Sequence, residues 1–97
     1  MKHEPKIYLV DIDGTLTKDV CFAPEECKLA DPNLEMIKWV KEKYKTDFII
    51  IYTARRRELY EATMEWLDKY SVPFHSYKDQ KTPGIIVDLD AINSFTS

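Results

Sequence analysis

The sequence predicts an α/β protein, a small three-layer α/β/α domain on a mostly parallel sheet of about four strands. Three observations carry this. Short β-branched and aromatic runs alternate with amphipathic helical stretches, the runs stop abruptly at polar residues, and 97 residues with 44% apolar content supply one core and no more.

The first run, Lys6 to Val10 (KIYLV), reads as a buried strand that ends at Asp11, Asp13 and Gly14. From about Pro32 to Tyr44 the apolar residues Leu34, Ile37, Val40 and Tyr44 recur at helical spacing, with Asp31 placed to cap and Pro32 at the first helical position. Phe48 to Tyr52 (FIIIY) is apolar throughout, as in a strand covered on both faces, and stops at Thr53. Leu59, Thr63, Trp66, Leu67 and Tyr70 form a second helical stripe across about Arg56 to Tyr70. Ser71, Val72 and Pro73 then turn the chain into a third strand, Phe74 to Tyr77. After a polar loop, Gly84 leads into a fourth, Ile85 to Val87, which stops at Asp88. This alternation is that of a Rossmann-like sheet, whose ligands bind outside the carboxyl ends of the strands. Asp11, Asp13, Thr53 and Asp88 collect at that edge.

Composition narrows the function. Fourteen basic against 17 acidic residues leave a net charge of −3, so no overall positive field recruits nucleic acid or an anionic membrane. No run reaches the length of a membrane span, and MKHEPK lacks the apolar stretch of a signal peptide, so a single cytoplasmic domain over residues 1–97 is expected. In that reducing setting Cys21 and Cys27 are expected as free loop thiols rather than as a disulfide or zinc ligands. The chain is expected to fold alone or as a homo-oligomer, which would add stability to so small a core.

Asp11 and Asp13 lie two apart where the first strand runs out, with Gly14 permitting a sharp turn. Two carboxylates so close repel, and a hard cation such as Mg2+ relieves the repulsion while holding a phosphate. One carboxylate can attack phosphorus while the other protonates the leaving oxygen and later activates water. Thr53 offers a hydroxyl and Lys81 an ammonium to the transferred phosphoryl group.

These residues carry a resemblance. DIDGTLT at Asp11 to Thr17 resembles the DxDGT signature of haloacid dehalogenase (HAD) superfamily phosphatases; IIIYTAR, ending at Arg55, is similar to the second motif, and Lys81 with IIVD to the third and fourth. The resemblance implies that Asp11 is the nucleophile, Asp13 the general acid and base, Thr53 a phosphate ligand and Lys81 a stabiliser of both. It further implies Mg2+ held by Asp11, the Asp13 carbonyl and Asp88. An acid at Asp13 favours phosphate-ester over carbon–halogen cleavage. Arg55, close behind Thr53, is positioned to touch the substrate phosphate. Lys78 competes with Lys81, which is preferred because a few residues then lead into the Asp88 strand. The fourth motif departs from the pattern: VDLD places Asp88 and Asp90 on one face of an extended strand, so that Asp90 supplies a second acid directly or through water.

Residues 14 to 52 leave about 15 positions between Leu16 and Ala30 for a flap, so the resemblance is to the uncapped type. An uncapped site takes large substrates or borrows a lid. TLTKDVCF, the TAR motif and the stretch around Trp66, Leu67, Val72 and Pro73 loosely resemble the phosphatase half of polynucleotide kinase-phosphatases. The expected partner is a phosphorylated small metabolite, nucleotide or nucleic-acid 3′ end, with no membrane involved. Two other functions share these residues: a phospho-acceptor signalling module, and a catalytically silent relative that binds metal or a partner. Of the remaining residues, Arg56 or Arg57 is expected to pair with Glu58 or Glu61, and His75, Trp39, Trp66, Tyr60 and Tyr70 to be structural.

Overall fold

A parallel sheet of three strands in the order β1-β2-β3 organises the computed structural model, which describes residues 3–79. The elements run β1 (Ile7–Val10), α1 (Pro24–Lys28), α2 (Leu34–Tyr44), β2 (Phe48–Tyr52), a 3-10 turn (Arg57–Leu59), α3 (Tyr60–Lys69) and β3 (Ser76–Lys78). Register pairs Ile7 with Phe48 and Val10 with Ile51, then Ile50 with Ser76 and Tyr52 with Lys78. The α/β class and the parallel sheet are thus as the sequence predicts. The fourth strand expected from the sequence, with Lys81, Asp88 and Asp90, falls outside the described residues.

Alternation along the strands sends Tyr8, Val10, Ile49 and Ile51 into one core with Ile37 and Val40 of α2 and Trp66 and Leu67 of α3. Both crossover helices therefore cover the same sheet face, as right-handed connections between strands laid down in sequence order require. FIIIY, expected to be covered on both faces, is not: Ile49 and Ile51 are fully buried, whereas Ile50 and Tyr52 are half-buried and Phe48 is exposed.

The helix predicted from Pro32 begins two residues later. Asn33 is its N-cap, the side-chain oxygen accepting the Met36 N–H at 3.2 Å. Asp31 and Pro32 are diverted because they close a neck: Lys18 N–H donates to the Asp31 carbonyl at 2.9 Å, Asn33 N–H to Leu16 at 2.7 Å, and Thr17 bridges Pro32. Leu34, expected in the core, is consequently exposed, while Ile37 and Val40 are buried. The second predicted helix divides into the 3-10 turn and α3, and its stripe holds, with Leu59, Thr63, Trp66 and Leu67 buried. The third strand starts at Ser76 rather than Phe74; His75 precedes it, its N–H donating to Ile49 O at 2.8 Å and its Nδ1 accepting the Ile49 N–H at 3.0 Å. His75 and Trp66 are structural, as read. Among the described residues no helix is long and apolar enough to cross a membrane.

The excursion above the neck contains α1, which packs on α3, and there Cys21 and Cys27 form a disulfide. This corrects the expectation of free thiols. The turn of helix between them brings their Cα atoms to 5.4 Å, inside bonding range, a geometry that redox compartment alone does not reveal.

Candidate active site

β1 carries the first acids to the carboxyl edge of the sheet. Ile12, buried completely, anchors the chain between Asp11 and Asp13. The backbone then turns: Thr15 and Leu16 N–H both reach the Ile12 carbonyl, at 3.0 and 2.9 Å, and Gly14 takes φ +79°, which L side chains rarely adopt. A Cβ at Gly14 would meet no atom within 4 Å, so conformation, not crowding, selects glycine. Thr17 braces the turn, accepting the Gly14 N–H at 3.3 Å and donating to the Asp19 carbonyl at 2.7 Å. Asp11 is half-buried, and its Oδ1 accepts the Ile12 N–H at 2.8 Å.

Val10 is in register with Ile51, so Asp11 and Thr53 each follow directly after the ends of adjacent strands. Thr53 is fully buried. Its N–H donates to the Lys78 carbonyl at 2.9 Å and its hydroxyl accepts the Arg55 N–H at 3.2 Å. Thr53 thereby fixes the turn that launches Arg55.

Arg55 was expected at a substrate phosphate; the structure places it on Asp13. Its Nη2 donates to Asp13 Oδ1 at 2.8 Å and its Nε to Oδ2 at 3.1 Å, a two-point fork between groups 2% and 17% exposed. Its Nη1 donates to the Thr63 hydroxyl at 2.8 Å, which in turn donates to the Leu59 carbonyl at 2.7 Å. The second strand end and α3 together aim the guanidinium at the acid on the first strand end. The Cys21 N–H adds a longer contact to Asp13 Oδ1, 3.4 Å.

Arg57 pairs with Asp79 at 3.1 Å rather than with Glu58 or Glu61, because the chain brings Asp79 beside it at the end of β3. Burial pushes the Tyr77 phenol above its ordinary range, with the Asp79 charge acting in the same direction. Lys78 is exposed, and Lys81 and Asp88 lie outside the described residues. Among the described residues no group of three His, Cys, Asp or Glu side chains forms a metal cluster. The Asp11 carboxylate and Asp13 carbonyl are oxygen donors of the kind a hard cation prefers.

On the Asp13 side opens a cleft of about 490 Å³, lined by Asp13, Val20, Cys21, Phe22, Pro24, Ala54, Arg55, Arg56, Glu58 and Leu59. Sequence reasoning missed it and the Arg55–Asp13 fork alike. The one available signal was that Arg55 follows the second strand end as closely as Asp13 follows the first.

The described residues thus form a Rossmann-like α/β domain with an acid–arginine pair at the carboxyl edge of its sheet. Among solved structures it is similar to a Vibrio cholerae protein solved by crystallography as an MCSG target, with 30% identity, a TM-score of 0.67, and coverage of 79% of this chain and 71% of that one. At that identity and coverage the chain belongs to one family with the Vibrio cholerae protein. It is also similar to a chain of the Pnkp1/Rnl/Hen1 complex (20% identity, TM-score 0.67, 92% of this chain, 32% of that one). A chain of the Pnkp1/Rnl/Hen1 RNA repair complex gives 20% identity, TM-score 0.69, and coverage of 92% and 30%. This chain therefore spans about a third of those two, and the likeness to them is one of fold. No protein-family model and no curated protein matches the sequence.

Proposed function

We propose that the protein is a Mg2+-dependent phosphomonoester hydrolase of the HAD type working through an aspartyl phosphate on Asp11. The observation that carries this reading is the pairing of Asp13 with Arg55 beside Asp11: two carboxylates from one strand end, one of them held in a fixed orientation by a buried arginine from the next. A hydrolase that uses one acid as nucleophile and the other for proton transfer needs that division of labour. The fold shared with a chain of an RNA repair complex supports phosphoester chemistry.

Asp11 attacks phosphorus and the bond to the leaving oxygen breaks as Asp13 delivers a proton to that oxygen. Asp13 then takes a proton from water, whose oxygen attacks phosphorus, releasing phosphate and restoring both carboxyl groups. Arg55 orients the Asp13 carboxyl, and Lys81 steadies the phosphoryl charge. Mg2+ would be held by Asp11, the Asp13 carbonyl and Asp88, and when bound it neutralises charge on the phosphate.

Hydrolysis of an aryl phosphate by the wild type and by Asp11→Asn, each with Mg2+ and with chelator, tests this. Activity should require Mg2+ and fall at least ~10³-fold in the variant. A wild type inactive with Mg2+ on aryl, sugar, nucleotide and 3′-phosphorylated DNA substrates would return the protein to the silent-relative reading.

A further inference from the structure

The cleft beside Asp13 has a lip that folding does not explain. Phe22 is 83% exposed and Val20 56% exposed, yet the backbone beneath Phe22 is pinned. Cys21 is tied to Cys27 by the disulfide, and the Glu26 carboxylate accepts the N–H groups of Phe22 and Ala23 at 2.9 and 3.0 Å. A ring left in water on an immobilised main chain loses little further freedom when something stacks on it. Isolated exposed apolar residues are ordinary, but these two line one cleft with Pro24, Ala54 and Leu59.

Position identifies the occupant. Asp13 is the group that serves the leaving oxygen, and it forms a wall of this cleft. The Cys21 N–H lies 3.4 Å from Asp13 Oδ1, and Phe22 is the next residue, one Cα step of about 3.8 Å onward. Whatever is bonded to the leaving oxygen therefore enters the cleft that Phe22 and Leu59 also line. The same cleft is lined by Arg56, which has no ion pair among the described residues, and by Glu58. Arg56 can lie over the second face of a flat ring or meet a substituent on it.

We propose that this cleft is a leaving-group subsite for an aromatic ring, so that the preferred substrates are phosphomonoesters whose ring sits directly on the ester oxygen or one bond removed. The proposal rests on the hydrolase reading for its orientation but not for its test. Phe22 is the specificity-determining residue. It contacts only the leaving group and takes no part in proton transfer.

The experiment compares the wild type with Phe22→Ala in two ways. Calorimetry with Mg2+ present measures binding of phenylphosphonate and methylphosphonate, which cannot be hydrolysed. Kinetics measure kcat/KM for phenyl phosphate and for methyl phosphate, each as the variant-to-wild-type ratio so that intrinsic reactivity cancels. The variant should bind phenylphosphonate about tenfold more weakly and lose about tenfold in kcat/KM on phenyl phosphate, with both methyl compounds unchanged. Exposure of Phe22 means the variant folds, which an unchanged Tm verifies. If the wild type binds both phosphonates alike, binds neither, or is unaffected by the substitution, the subsite is refuted. Hydrolysis without ring preference removes this inference and leaves the hydrolase. Ring-selective binding lost in Phe22→Ala, without hydrolysis of any ester, keeps the subsite and removes the hydrolase.

Discussion

Arg55 spends its guanidinium on Asp13 and Thr63, and with Asp13 partly open to the cleft the fork decides where the acid points. Arg55→Ala should therefore lower kcat about 10²-fold with KM for an aryl phosphate changed less than threefold, since displacing an acid by an ångström costs that much. Arg55→Lys keeps the charge but not the fork and should recover only part of the loss. A raised KM with kcat retained would instead put the guanidinium on the substrate phosphate. Removing one partner of so buried a pair should also cost roughly 3 kcal/mol, measured by urea denaturation. The placement of Asp11, Asp13, Gly14 and Thr53 at the strand ends was legible in the sequence because strand ends and turn chemistry are local signals. The fork was not, because it depends on how far two loops on separate strands lean toward each other.

At the level of the element, α3 is the hub: it buries Trp66 and Leu67 in the core of the sheet and also packs against α1. The Trp66 indole N–H donates to the Ala30 carbonyl at 2.8 Å, tying α3 to the end of the excursion. Trp66→Phe keeps most of the apolar volume but leaves that carbonyl unsatisfied, so a loss of about 1–3 kcal/mol is expected, read as a lowered Tm. The long elements were legible from their periodicity, α3 most clearly. α1 was not: five residues with a proline at the start carry too short a pattern, and its stability comes from the disulfide, Glu26 and α3 rather than from propensity. The start of α2 was misplaced for a related reason. Asp31-Pro32 is a good helix start locally, but the neck claims both residues, and Asn33 takes over the cap.

For the molecule as a whole, acid stability turns on a residue far from the proposed site. Asp47, before β2, is buried, which by itself would raise its pKa; the Lys6 N–H at 2.8 Å, His3 Nε2 at 2.7 Å and the Thr46 hydroxyl at 2.9 Å outweigh this and hold it near about 2, against 3.8. A carboxyl whose folded pKa lies below its unfolded one stabilises the fold fully above the unfolded value and loses that contribution as pH falls through the folded one. Tm should accordingly drop between about pH 4 and pH 2, and the slope there should flatten in Asp47→Asn. At neutral pH Asp47→Ala should cost about 2 kcal/mol, because the Lys6 N–H loses a charged acceptor. The neck carries a different consequence. Two backbone hydrogen bonds, from Lys18 and Asn33, close the excursion independently of what lies above them. The sheet and its acids therefore form a chassis on which the loop is an exchangeable fitting. A transplanted segment of another length, seated on the same two bonds, would give the proposed catalytic frame a new appetite without redesign of its core, because loop length adds little to the cost of closure.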